Sequence, residues 1–123
     1  MIDPNELFYP AIDLLCRLIA TPSPSREETA TADLIAFYLQ EHGFTPHRAA
    51  NNVWAIAPAF VAGRPTLLLN SHHDTVKPVE GWNGEAFVPR EEDDRIYGLG
   101  SNEAGASLVS LLQTFLVLAD KPQ

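Results

Sequence analysis

The sequence predicts an α/β fold, with helices packed against one layered sheet. Three observations lead there. Segments with apolar residues at helical spacing alternate with short extended segments. Capping signals stand where the helical segments begin. The run from Pro65 to Asn70 (PTLLLN) is short and continuously apolar, the pattern of a strand covered on both faces.

Asp3-Pro4-Asn5-Glu6 reads as a helix start, with an acceptor at the cap, Pro at the first helical position and Glu three residues after the cap. Leu7, Ala11, Leu14, Leu15 and Leu18 then recur at helical spacing, with Cys16 on the same apolar side. Pro10 lacks a backbone donor, so a kink or a restart is expected there. Thr21-Pro22-Ser23-Pro24 ends this helix, because a residue before proline is pushed to extended backbone. Ser25-Arg26-Glu27-Glu28 reads as a second capping box. The helix after it should turn Leu34, Ile35, Tyr38 and Leu39 inward and stop at His42-Gly43, where glycine takes the left-handed conformation.

Phe44 to Arg48 and Val53 to Ala57 read as two strands about an Asn51-Asn52 turn. His47 there has no evident partner. The Pro65–Asn70 strand follows and delivers Ser71-His72-His73-Asp74 just past its end. Glu80 to Glu92 reads as irregular, with Trp82 and Phe87 expected in the core and the acidic run Glu91 to Asp94 as a solvated turn. Asp94 to Tyr97 is a candidate strand. A glycine-punctuated loop, Gly98 to Gly105, leads into a last helix from about Ala104 to Ala119, with Leu108, Leu111, Leu112, Phe115 and Leu118 inward. A helix of this kind normally returns to another strand, so the stop at Lys121-Pro122-Gln123 is expected to mark a fragment.

The chain has 123 residues, one domain's worth, of which 46% are hydrophobic and 20% charged. Its formal charge of −8 argues against nucleic acid, which rewards a basic surface, and against docking on anionic lipid. One cysteine rules out an internal disulfide and a cysteine zinc cage. The start MIDPNELFYP shows no basic segment followed by an apolar core, and no stretch is apolar enough to span a membrane. A cytoplasmic protein is expected.

Two constellations carry chemistry. His72-His73-Asp74 lies beyond the carboxyl end of the expected central strand, where open α/β sheets gather their ligands. Imidazole is a common metal ligand, and a nearby carboxylate can take its second ring N–H and fix its tautomer. In extended backbone His72 and Asp74 project to one side and His73 to the other. Read alone, the segment is equally a polar strand end. The second constellation is Glu103 within the Gly98–Gly105 loop, where glycines permit close backbone approach. The loop lacks the Lys-Ser/Thr pair of a phosphate-binding loop and the third glycine of a dinucleotide fingerprint. Read alone, it is a turn into a helix, with Glu103 as a first-turn acid.

Taken together the two are more specific. Leu67-Leu68-Leu69-Asn70-Ser71-His72-His73-Asp74-Thr75-Val76 resembles the H-x-D-x-V segment of the co-catalytic zinc amidohydrolases and metallopeptidases. That family includes acetylornithine deacetylase, succinyl-diaminopimelate desuccinylase, aminoacylase and glutamate carboxypeptidase. Tyr97-Gly98-Leu99-Gly100-Ser101-Asn102-Glu103-Ala104-Gly105 is similar to its second motif, YGRGxxDxKG, and Trp82 to Pro89 to its W-x-x-D-P-F stretch. The opening helix and ATPSPSREE also match, so the resemblance covers nearly the whole chain and is nearest to the acetylornithine deacetylase type.

The resemblance implies the N-terminal part of a three-layer α/β/α zinc-hydrolase catalytic domain, residues 1–123. The lid or dimerisation domain and the later catalytic part are expected to lie outside it. It implies two Zn²⁺ ions per full active site, with Co²⁺ or Mn²⁺ as alternatives. By the same resemblance His72 is a metal ligand, Asp74 is the catalytic-site carboxylate that orients it, and Glu103 is the carboxylate that bridges both metals. The family has Asp at that last position, so Glu103 adds one methylene. The implied reaction is hydrolysis of an N-acyl amino acid of the N-acetylornithine type in a homodimeric full-length enzyme. The general base comes later in the family's chain, so these residues alone are expected to be inactive. The alternatives are a dipeptidase or carboxypeptidase of the same family, or a non-catalytic relative that keeps a weak metal site.

Overall fold

The computed structural model describes residues 3–82, 84–119 and 121, so Pro122 and Gln123 of the expected stop lie outside the described residues. Helix α1 spans Pro4–Ile19 and begins as its sequence predicts. The Asp3 carboxylate accepts the Asn5 N–H at 2.9 Å, and Pro4 occupies the first turn. Pro10 does not break the helix. Glu6 and Pro10 are both exposed, so the carbonyl that Pro10 releases faces water. Leu14, Leu15, Leu18 and Ile19 are buried, while Cys16 is only half-buried. Burial, with the nearby Glu91 and Asp13 charges, pushes the Cys16 thiol above its ordinary pKa.

Helix α2 spans Thr29–Glu41 and buries Thr31, Ala32, Ile35, Tyr38 and Leu39, with Leu34 partly buried against the same core. Its start corrects the sequence reading. Glu28 stands at the cap, no side chain caps the helix, and the Ser25 hydroxyl bonds elsewhere. The end is a Schellman turn. Phe44 N–H donates to Leu39 O at 3.0 Å and Gly43 N–H to Gln40 O at 3.0 Å, with Gly43 at φ 84.

Strands β1 (His47–Ala49) and β2 (Asn52–Trp54) form an antiparallel hairpin that is shorter than expected and turns at Ala50-Asn51. His47 has a partner after all. It lies opposite Trp54 and stacks on it, with ring centroids 5.6 Å apart. A second hairpin pairs β3 (Arg90–Glu92) with β4 (Arg95–Tyr97). Glu91 and Glu92 therefore belong to a strand, and only Asp93-Asp94 make the turn, both at positive φ as a type I′ turn demands.

The largest correction concerns Pro65 to Asn70. It forms no strand, and Leu67 and Leu68 are 64% and 81% exposed. A strand exists only through bonds to neighbours, and among the described residues none pairs with this run. Among the described residues the fold is mixed helix and small sheets, as the coarse α/β expectation has it, but in place of a single layered sheet there are two separate hairpins beside three α-helices. Trp82 is exposed rather than core, and Phe87 is half-buried.

A kinked turn, Ser101–Ala106, with Glu103 and Ala104 at non-helical backbone angles, precedes α3 (Ser107–Leu118), which starts three residues later than the pattern suggested. Its buried residues are Val109 and Gln113, flanked by Leu108, Leu112, Phe115 and Leu116; Leu111 and Leu118 are only half-buried and do not join the core cluster. Gln113 can be buried because its amide donates to the Tyr38 hydroxyl at 2.6 Å. The core lies where α1, α2 and α3 meet.

Candidate metal centre

Two loops bring the expected residues together. The first is Ser71 to Val76, extended but unpaired except at one point. Thr75 bridges Pro24 in parallel: Thr75 N–H donates to Ser23 O at 2.8 Å, and Ser25 N–H donates to Thr75 O at 3.1 Å. The second is the glycine loop. Gly100 sits at φ 81, and Gly105 N–H returns to Gly100 O at 2.9 Å. A methyl group on Gly105 would stand 2.6 Å from that oxygen, so the loop closes only around glycine. Leu99 and Ala104 are buried on either side and leave Glu103, 83% exposed, projecting between them. Burial also explains an apolar Leu99 where the family pattern has Arg.

The resulting geometry is a chain of polar contacts. His72 Nδ1 lies 3.1 Å from Asp74 Oδ1, and His72 Nε2 lies 2.8 Å from Glu103 Oε1. His72 is thus held between two carboxylates, 31 residues apart in the case of Glu103. The Glu103 hydrogen bond raises the His72 pKa above the ordinary imidazole value, helped by the Asp74 carbonyl and charge and opposed by partial burial. The Ser25 hydroxyl donates to Asp74 Oδ2 at 2.5 Å and holds that carboxyl below its usual range, with the His72 charge adding to it.

His73 points away, as the alternation of extended backbone predicts. Its Nε2–H donates to Asn51 O at 2.9 Å, and its Nδ1 accepts from the buried Thr31 hydroxyl at 2.7 Å. It ties the loop to α2 and to the first hairpin, a structural task. Ser23, Ser25 and Thr31 were missed as partners of the site. The two prolines around Ser23 were a usable signal, since they keep that segment extended and leave its polar groups free to pair.

The donor set suits a borderline metal ion: an imidazole nitrogen whose far side is fixed by a carboxylate, and a carboxylate oxygen directed at the same nitrogen. His72 and Glu103 fit as two ligands, and Asp74 fits behind His72 rather than on the metal. Among the described residues no three His, Cys, Asp or Glu side chains gather into a metal-binding group. Among the same residues, no helix is long and apolar enough to cross a membrane.

No family model matches the chain. Curated relatives do. A succinyl-diaminopimelate desuccinylase of Xylella fastidiosa (strain 9a5c) is 30% identical over 115 residues, 89% of this chain and 29% of the relative. One from Delftia acidovorans is 31% identical over 124 residues, covering 90% of this chain and 32% of the relative. One from Rhizorhabdus wittichii is 30% identical over 131 residues, covering 99% and 32%. The chain thus spans about three-tenths of the length of the relatives it matches.

Proposed function

We propose, from the premise that this chain belongs to the family of amidohydrolases and metallopeptidases that includes succinyl-diaminopimelate desuccinylase and acetylornithine deacetylase, that it supplies part of the metal centre of an amide hydrolase. The observation that supports this reading is His72 Nε2 at 2.8 Å from Glu103 Oε1 while Asp74 Oδ1 holds Nδ1 at 3.1 Å. Asp74 keeps the proton on Nδ1, so that Nε2, which donates to Glu103 here, would offer its lone pair to a metal once it gives up its own proton. Glu103 offers a carboxylate to the same ion and offsets its charge. Zn²⁺, or Co²⁺ or Mn²⁺ in its place, supplies the polarisation of an amide carbonyl and a hydroxide at neutral pH when bound. The substrate class is an N-acyl amino acid. The glycine loop's resemblance favours N-acetylornithine and the relatives' names favour succinyl-diaminopimelate; both are amides of diamino acids.

The remaining ligands, the general base and a lid or dimerisation domain belong, on this reading, to further chain, and the full protein is a homodimer. Titration of the chain with zinc should give a saturable heat that His72→Ala abolishes. Equal heats from the two proteins would overturn the metal assignment. With zinc or cobalt added, neither N-acetylornithine nor N-succinyl-diaminopimelate should be turned over by these 123 residues. Steady turnover lost in His72→Ala would overturn the division of the site. One observation favours a second reading, a non-catalytic relative with a weak metal site: the longer Glu103 closes directly on His72.

A further inference from the structure

We infer that Ser25 is a positioning residue of the metal centre, holding the Asp74–His72 pair from a different part of the fold. This rests on the metal reading of His72 and Glu103. The geometry makes the case. Each oxygen of Asp74 has a side-chain partner: Oδ1 faces His72 Nδ1 at 3.1 Å, and Oδ2 takes the Ser25 hydroxyl at 2.5 Å, with the residue's own backbone N–H also on the carboxylate. Without the Ser25 hydroxyl the carboxylate can turn about its last bond and loosen the hold of Oδ1 on the imidazole, leaving Nδ1 to the Asp74 main-chain carbonyl at 3.2 Å. With it, the plane of the carboxylate is set, and so is the ring it orients.

The Ser25 hydroxyl is committed to this contact. The sequence offers it as the cap of α2, yet that helix has no side-chain cap and begins four residues later. The backbone is committed as well. Ser25 N–H donates to Thr75 O, Thr75 N–H to Ser23 O, and the Ser23 hydroxyl to His73 O at 2.9 Å. These three bonds straddle Asp74 and tie the segment 23–25 to the segment 73–75. Ser23 is 3% exposed and anchors the clamp in the interior, whereas Asp74 and His72 stay accessible at 36% and 49%. The clamp therefore fixes backbone from the inside and one carboxylate oxygen from the outside.

The test uses the 123-residue chain, zinc alone as probe, and two variants. In Ser25→Ala the hydroxyl is lost; in Ser25→Thr it is kept, and the exposed position has room for the extra methyl. Zinc affinity should fall about three- to tenfold in Ser25→Ala, less than the 10–100-fold expected for a direct partner of a ligand. It should return to within twofold of wild type in Ser25→Thr. Nitrogen-15 spectra of the metal-free chain should show the Nδ1 resonance of His72 moving in Ser25→Ala and restored in Ser25→Thr, which a loss of general stability would not produce. Unchanged affinity and an unchanged imidazole spectrum in Ser25→Ala, or no rescue by threonine, would overturn the proposal. A wild-type chain that takes up no zinc would overturn the metal reading alone, and the imidazole spectrum would then decide Ser25 by itself.

Discussion

Glu103→Asp shortens the side chain by one methylene, about 1.5 Å, and withdraws the carboxylate from a hydrogen bond of 2.8 Å to His72 Nε2. The oxygen would then lie as much as about 4.3 Å from that nitrogen. A zinc ion bonded at about 2.0–2.1 Å to nitrogen and about 2.0–2.2 Å to oxygen in tetrahedral geometry holds the two donors about 3.4 Å apart, between these two separations. In the wild type the two donors first have to part. His72 is 49% exposed and Glu103 83% exposed, so their contact is a solvent-screened pair worth about 0–1 kcal/mol. Removing that competing contact should tighten zinc binding by up to about fivefold. No packing opposes the change, because Glu103 projects into solvent. Calorimetric titration of both proteins with zinc, with thermal unfolding as a control on folding, measures the difference. Binding by Glu103→Asp that is equal to or weaker than wild type, at an unchanged melting temperature, would refute the reasoning.

The pH dependence has a definite sign. His72 has a raised pKa in the folded chain, so its stabilising contribution is full below the ordinary imidazole value and is lost as pH rises through the folded value. Asp74 is lowered, so its contribution is present above the ordinary carboxyl value and is lost as pH falls through the folded one. Proton NMR titration should place His72 above free imidazole and bring it down in Glu103→Gln; an unshifted His72 would contradict the contact. Zinc uptake should strengthen as pH rises through that same transition, because a proton leaves Nε2 when the metal arrives. In Gly98→Ala the new methyl would stand 2.4 Å from Ile19 Cγ2, a buried side chain, so overpacking should cost about 1–3 kcal/mol, read as a lower unfolding midpoint. Leu68→Ser removes the most exposed side chain of an unpaired apolar run and should reduce self-association in light scattering. A wild-type chain that is already monomeric and binds no hydrophobic dye would count against it.

The helices were legible in the sequence because their causes are local. Asp3 and Pro4 start α1 through groups within one turn, and Gly43 ends α2 through its own backbone freedom. The pairing of His72 with Asp74, and the turning away of His73, follow from alternation along extended backbone. The resemblance of two separated motifs also placed His72 and Glu103 at one centre, and the structure brings them within hydrogen-bond distance.

Tertiary structure decided what depends on partners distant in sequence. Ser25 lies next to a helix start and caps by every local rule, yet its hydroxyl bonds Asp74, 49 residues away. Gln113 is polar and still buried, because Tyr38 supplies an acceptor. The run Pro65 to Asn70 has the composition of a buried strand but no ladder, since residue type gives a strand its preference and only a neighbouring strand gives it hydrogen bonds. A sequence fixes propensities and caps through contacts a few residues long; which distant donor meets which acceptor is set only when the chain packs.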